Sequence, residues 1–414
     1  MNEVNPKTPT IFTQLTAKRF AKKHGISYNI SMDFSHIKET DKKYSVITYP
    51  RHNLCLSFGE GNYMYDTNGR AYLDFVAGLG EDCLGYKNLM LSEAIKEQSD
   101  KLIGYSNLYY SELHSSLAKA IIENTAFTKV YFGGSIGDTL LITAYMIHKY
   151  CSISKDQRST ILVVSELEHS RYEAIQTQNL RIKHVKPDEK AFKNALDGDV
   201  CAVIFNPIQV EYGMVLTKYE FLLSAYAACK SQGITIIYDE TSIGLGRTGT
   251  MFAFEQYGIQ PDVLMVARGM AGGLPMGAVL VRGSIAAALS PNDRISVFCT
   301  SSLACAAALV IINRLKAGML EEIQAKGEYL MSKLSKLKKH NFVKDIRGVG
   351  LFAGIELTPN LKAAKVIGQM EDLGFLLDQT NGNTLRITPP FTITESEIDS
   401  MCDALAEIFA ETNL

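Results

Sequence analysis

Little in this chain is extreme, and each shortage excludes something. No run approaches 18 uninterrupted apolar residues, so the sequence predicts no membrane-spanning helix. The eight cysteines (55, 83, 151, 201, 229, 299, 305 and 402) include no Cys-x-x-Cys pair, which argues against a zinc or thioredoxin-like redox site. Cys201 and Cys305 sit in apolar runs and read as reduced core residues. A net charge of −2 offers nothing to nucleic acid or an anionic membrane. The opening MNEVNPKTPTIFTQLTAKRF has no apolar core of the signal-peptide kind, so a cytoplasmic protein is expected. Internal repeats and low-complexity tracts are absent. Tryptophan is absent too, and nothing follows from that.

What is present is ordinary globular sequence. With 414 residues, 46% hydrophobic and 21% charged, the chain can bury a large core. A prior of about 150 residues per domain gives roughly two to three domain-sized units. Residues 1–50 are mixed, with polar helix-like text such as FTQLTAKRFAKKHG. In CLSFGEGNYMYDTNGRAYLDF (55–75) alternating apolar residues flank Asp66–Gly69, which predicts a β-hairpin. Helical text follows in MLSEAIKEQSDKL and SELHSSLAKAIIEN. From 129 onward short apolar runs alternate with helical patterns: KVYFG (129–133), TILVV (160–164), VCAVIFN (200–206), ITIIYD (234–239), DVLMVA (262–267) and GAVLV (277–281). Continuous apolar strands between helices predict βαβ units and a mainly parallel sheet covered on both faces, an α/β fold. Beyond 300 a long helical stretch leads to a smaller unit with strands in IRGVGLFAGIEL and TLRITPP and helices in AAKVIGQMEDLG and TESEIDSMCDALAEIFAET. In open parallel sheets ligands sit outside the carboxyl ends of the strands. Asp239, Arg268, Asn206 and the run Gly133–Gly137 all follow strand ends, so a site is expected there.

Seven segments in order carry a resemblance: GEGNYMYDTNGRAYLDFVAGLG, AIKEQSDKLIGYSNLYY, DETSIGLGRTGTMFAFEQYGIQPDV, GGLPMGAVLV, SLACAAAL, IRGVGLFAGIEL and LRITPPFTITESEID. Together they resemble the class III, fold-type I pyridoxal-phosphate aminotransferases, closest to the acetylornithine and ornithine branch, over about residues 50–414. The resemblance implies a large domain (81–310) with a mainly parallel sheet covered by helices. It also implies a smaller α+β domain built from 51–80 and 311–414, with 1–50 as an N-terminal extension. It implies pyridoxal phosphate as cofactor, no metal, and a homodimer. A heterodimer with an active paralogue and a small amino acid or dicarboxylate ligand are the other partners it allows.

The resemblance also assigns roles. Asp239 falls on the residue set against the pyridine nitrogen; the alternative is a strand-end Asp capping the next turn. Ser135, Ile136 and Gly137 fall on the helix opening that holds the phosphate, and His169, Ser242 and Thr300 fall on other cofactor positions. Asp138 is open to a second reading as a helix cap. Tyr109, Arg171, Glu211 and Arg386 fall on substrate positions. Arg171 takes a carboxylate, and Arg386 takes a dicarboxylate and pairs with Glu211. Surface or structural ion pairing is the alternative for both arginines.

Several positions depart from the pattern. Arg268 stands where the Schiff-base lysine belongs. A guanidinium stays protonated and cannot supply the neutral amine that a Schiff base requires. Glu168 replaces a Phe that stacks on the ring, Ser242 a Gln, Asn206 a Glu, and Val297 a hydroxyl-bearing residue, with Thr300 or Ser301 as offset substitutes. Ile136 stands where close backbone approach is wanted. These departures gather around one ligand. They lead to the expectation of a degenerate cofactor site: a pseudoenzyme or an amino-acid or keto-acid binder. The alternatives are an active pyridoxal- or pyridoxamine-phosphate enzyme with altered chemistry, or a conventional aminotransferase using another lysine, with Lys230 and Lys316 nearest in sequence.

Overall fold

A computed structural model describes residues 33–123, 125–154, 157–167, 170–173, 175–176, 180–293, 301–380 and 382–412. The chain divides into two compact units, one of residues 1–57 and 65–70, the other of 58–64 and 71–414. In the first, helix Phe34–Tyr44 begins at Asp33, whose carboxylate accepts the His36 N–H at 2.8 Å. The hairpin turn falls where expected. Asp66 Oδ1 accepts the N–H groups of Asn68 at 2.8 Å and Arg70 at 2.9 Å, and Gly69 takes φ 83°.

The strands are β1 (Leu56–Glu60), β2 (Tyr63–Asp66), β3 (Ala71–Asp74), β4 (Lys129–Gly133), β5 (Thr160–Val164), β6 (Arg181–Val185), β7 (Val200–Phe205), β8 (Ile208–Gln209), β9 (Val215–Leu216), β10 (Thr235–Asp239), β11 (Val263–Val266) and β12 (Gly277–Val281). They continue with β13 (Val343–Gly348), β14 (Ala353–Leu357), β15 (Phe375–Leu376), β16 (Asp378–Thr380) and β17 (Thr384–Ile387). The second unit is built on a seven-stranded sheet in the order β4-β12-β11-β10-β7-β5-β6. Strand β12 runs antiparallel to both neighbours, and the other pairings are parallel. The expected mainly parallel sheet is therefore what forms.

Alternation along the strands creates two cores. Leu162, Val164, Val203, Phe205, Ile236, Tyr238, Leu264 and Val266 enter one, with residues of helices Tyr219–Ser231 and Ser302–Arg314. Ile161, Val163, Ala202, Ile204, Ile237, Val263 and Met265 enter the other, with residues of helix Ile136–Ile153. Both faces are thus buried, which is why these strands read as continuous apolar runs. Strand β6 was not expected from the sequence. RIKHV alternates exposed and part-buried positions at the sheet edge, and its Arg181 pairs with Asp199 at 2.5 Å.

The antiparallel sheet β13-β14-β17-β16 packs with helices Leu320–Ser335, Ala363–Asp372 and Glu395–Glu411. The last helix opens with a capping box between Thr394 and Glu397. The helical run 302–339 is apolar and long enough to cross a membrane by composition, but Ala304, Cys305, Ala307, Ala308 and Ile311 are buried in the core. A π-turn at Leu315–Met319 interrupts it, with Gly318 at φ 105°.

Next to Asp239, Glu240 is 4% exposed and turns to the opposite side. Its oxygens accept the N–H groups of Ala253 and Phe254, both at 2.7 Å. Burial pushes its pKa up to about 8 against the pull of those two N–H bonds, from an ordinary 4.5. Because the folded pKa is the higher one, the unfolded chain loses this proton first. The Glu240 contribution is therefore greatest below pH 4.5 and declines as pH rises through about 8. Denaturant titrations at several pH values should show Glu240→Gln losing less stability than the parent over that window. Parallel curves would mean the carboxylate is ionised throughout.

Candidate functional site

Three parallel strands bring the site together. Strand β5 leads to the short helix Ser170–Glu173, β7 to Asn206, and β10 ends on Asp239, all at carboxyl ends. Asp239 is 2% exposed. Its Oδ1 accepts the backbone N–H of Thr241 at 2.9 Å and the Thr241 hydroxyl at 2.6 Å. Its Oδ2 accepts from the Tyr172 hydroxyl at 2.7 Å and from Arg171 Nη2 at 3.2 Å. Arg171 also donates through Nη1 to Ser242 Oγ at 3.1 Å and through Nη2 to the Tyr172 hydroxyl at 2.9 Å. Burial is the largest influence and works against the Arg171 charge, but Asp239, Tyr172 and Glu211 together outweigh it and hold the guanidinium pKa above its ordinary value. Two residues expected to meet different ligands therefore clasp each other. The cavity lined by Arg171, Asn206, Gln209, Glu211, Asp239 and Ser242 measures about 10 Å³, the space of a single water.

At the helix opening expected to hold a phosphate, two of the N–H groups are met from within the chain. Ser135 Oγ accepts the Asp138 N–H at 3.1 Å, and Asp138 Oδ2 accepts the Gly134 N–H at 2.9 Å. Ile136 and Gly137 begin helix Ile136–Ile153 under this cap. A carboxylate therefore stands in the first turn, at the positive end of the helix. Ser135 is the N-cap, and Asp138 adds to the capping from the first turn.

Arg268 follows β11 in a turn that glycine makes possible. Gly269 takes φ 71°, and a Cβ there would stand 3.3 Å from the Gly80 carbonyl oxygen. Arg268 Nη1 donates to the Ser242 carbonyl at 3.4 Å, and the Gly269 N–H reaches Glu81 Oε2 at 3.2 Å. Burial, then the charge of Arg386, push the Arg268 pKa below its ordinary value, while Glu211 and Glu81 pull it back.

The expected Arg386–Glu211 pair is not what forms. Arg386 sits on β17 directly opposite Asp378 on β16, and its Nε donates to Asp378 Oδ2 at 3.0 Å. Adjacent strands fix that partner before any loop can compete. Glu211 is held by its main chain instead, its carbonyl accepting the Thr380 hydroxyl at 3.0 Å. Tyr109 is 72% exposed. Ser301 caps its own helix by accepting the Leu303 N–H at 3.2 Å. Glu168, His169, Val297 and Thr300 lie outside the described residues. The sequence reading missed Tyr172 and Asp378. The signal for Asp378 was the short antiparallel pairing that places it across from Arg386. Among the described residues no group of three or more His, Cys, Asp or Glu is arranged to hold a metal ion.

A seven-stranded sheet with one antiparallel strand, an Asp ending a central strand and a glycine turn after the next define the fold-type I pyridoxal-phosphate aminotransferases. The family model for aminotransferase class-III matches residues 46–171 and 136–409. Acetylornithine aminotransferase of Caldanaerobacter subterraneus is 35% identical over 388 residues, spanning 90% of this chain and 98% of the relative. That of Methanocaldococcus jannaschii is 33% identical over 390 residues, spanning 90% and 98%. The crystal structure of acetylornithine aminotransferase from Elizabethkingia anophelis superposes with a TM-score of 0.84 at 24% identity, spanning 92% of this chain and all of that one, a likeness of fold. The chain belongs to the class III aminotransferase family, which implies pyridoxal phosphate.

Proposed function

We propose that this chain is an acetylornithine- and ornithine-type member of the family that has given up covalent transamination and binds a small amino acid or keto acid without a Schiff base. Arg268 carries the proposal. It stands at the lysine position of the family pattern, and no protein environment makes a guanidinium a neutral amine at working pH. Two further observations support it. Asp138 accepts the Gly134 N–H at the helix opening meant for a phosphate, and Arg171 covers the Asp239 carboxylate. The described residues do not fit a covalently anchored pyridoxal phosphate. The homodimer is part of the proposal, supported by the exposed large side chains of Leu108, Tyr109 and Tyr110.

The kinship itself favours a second reading, an active aminotransferase like the relatives whose names state that activity. It requires another lysine at the site. Lys230 donates to Asp262 Oδ1 at 2.8 Å and Lys316 to the Ala120 carbonyl at 2.6 Å, so each is held elsewhere. Absorbance from about 300 to 500 nm, with added pyridoxal phosphate and then borohydride, separates the readings. Once unbound pyridoxal phosphate is removed, the expected result is a flat spectrum and no phosphopyridoxyl-lysine at the site by mass spectrometry. A trapped adduct would establish the enzyme reading and overturn ours.

A further inference from the structure

The end of the large sheet away from Asp239 holds a second pocket. Strand β12 runs antiparallel to β4 and β11, so Lys129 at the start of β4 lies opposite Val281 at the end of β12. Strand β10 runs the same way as β4 and closes on Asp239, which puts Asp239 at the other end of the sheet. The pocket measures about 410 Å³, a volume that suits a small-molecule ligand.

Alternation along β4 sets the chemistry of this pocket. Val130 and Phe132 turn to one core and Tyr131 to the other, and Lys129 shares the Tyr131 face. On that face Met146 and Val281 are buried, and Ala286 and Leu289 complete an apolar lining. Lys129 is the one formally charged residue of the lining, which contains no acid. Its side chain is exposed, and no carboxylate among the described residues pairs with its amine.

Gly283 and Thr128 are exposed at the mouth. Gly283 opens the short helix Gly283–Ala286, and its backbone is not left-handed. A Cβ there would stand 3.6 Å from the Thr128 hydroxyl oxygen and 3.9 Å from its methyl carbon, ordinary contact distances. The backbone does not require glycine at this position, and the missing side chain leaves the mouth open. Water inside such a lining finds few polar partners, so an apolar group that displaces it gains free energy. A negative charge on the same ligand would give the Lys129 amine its partner.

We propose that this pocket binds a medium-chain aliphatic carboxylate, its chain against Met146 and Val281 and its carboxylate at the Lys129 amine. The site is separate from the one around Asp239 and does not depend on the noncovalent reading above.

The test is calorimetric titration of the full-length protein with octanoate, kept below its micelle-forming concentration, with hexanoate and octanol as comparators. Octanoate is expected to bind. Hexanoate, two methylenes shorter, should bind about tenfold more weakly. Lys129→Met keeps most of the aliphatic stem and removes the charge. It should weaken octanoate by about threefold to fivefold and leave octanol unchanged. Gly283→Leu fills the mouth and should weaken octanoate and octanol alike, by about tenfold or more, at an unchanged melting temperature of the free protein. Should Gly283→Leu fail to fold, the contrast between octanoate and octanol in Lys129→Met decides alone. Octanoate that does not bind, or whose affinity neither variant changes, overturns the proposal. So does a Gly283→Leu protein whose oligomeric mass in the ultracentrifuge falls below the parent's, because this face would then be a contact between copies of the chain.

Discussion

Asp239→Ala is expected to destabilise the ligand-free protein by roughly 3 kcal/mol. The Asp239 side chain is wholly buried, and its two oxygens serve Thr241, Tyr172 and Arg171. Removing it takes the 2.7 Å acceptor from the Tyr172 hydroxyl, which keeps Asn206 Oδ1 at 3.3 Å, and leaves the Arg171 guanidinium without its ion-pair partner. Breaking a buried ion pair from one side costs about 3–5 kcal/mol. Arg171 keeps 24% side-chain exposure, so solvent screens part of the loss and the lower end applies. Asp239→Asn retains an acceptor for the Thr241 N–H and should cost less. In the double variant Asp239→Ala, Arg171→Met, the combined loss should fall short of the sum, because the second change removes the stranded cation. Without tryptophan, far-ultraviolet circular dichroism is the natural probe of denaturant unfolding. An aspartate that waits for a cofactor ring would be dispensable to the empty protein. If Asp239→Ala were as stable as the parent, the clasp would be absent in solution and the argument for a closed site would fall.

Arg247→Met should cost about 4 kcal/mol or more. Arg247 is fully buried. Its Nη1 donates to the carbonyl oxygens of Leu351 at 3.0 Å and Pro389 at 2.7 Å, and Nη2 reaches the Gly80 carbonyl at 3.5 Å. Its guanidinium carbon lies 4.8 Å from the Phe391 ring centroid. Burial pushes its pKa down to about 10, which leaves it charged at neutral pH. Replacing a buried ion pair with apolar groups is often tolerated, because both charges leave together. Arg247 differs, since its partners are main-chain carbonyls that no side-chain substitution removes. Methionine fills much of the volume and none of the hydrogen bonds. Denaturation of the variant against the parent measures the loss. A cost under about 1 kcal/mol would mean water replaces the guanidinium.

How much of this was legible in the sequence depends on what each residue answers to. Strands such as Thr160–Val164 and Gly277–Val281 were legible because both faces are buried, which leaves an unbroken apolar run. Arg181–Val185 was not, because an edge strand with one wet face resembles loop or helix text. Asp239 was legible as a site residue because its place at a strand end follows from topology. Its union with Arg171 was not, because 68 positions separate them and only the parallel order of β5, β7 and β10 brings them together. Arg386 showed the opposite limit. Its partner is 8 residues away, and resemblance drew attention to the more distant Glu211. Asp138 was read as a capping residue of the first turn, and there it accepts the Gly134 N–H.

That cap has a consequence for how the molecule survives in a cell. A protein whose helix opening is finished by a cofactor gains stability from binding and loses it when the vitamin runs short, by mass action. Here Asp138 supplies the negative charge from within the chain. Empty and loaded forms then need not differ in this helix, and abundance would no longer track nutrient supply.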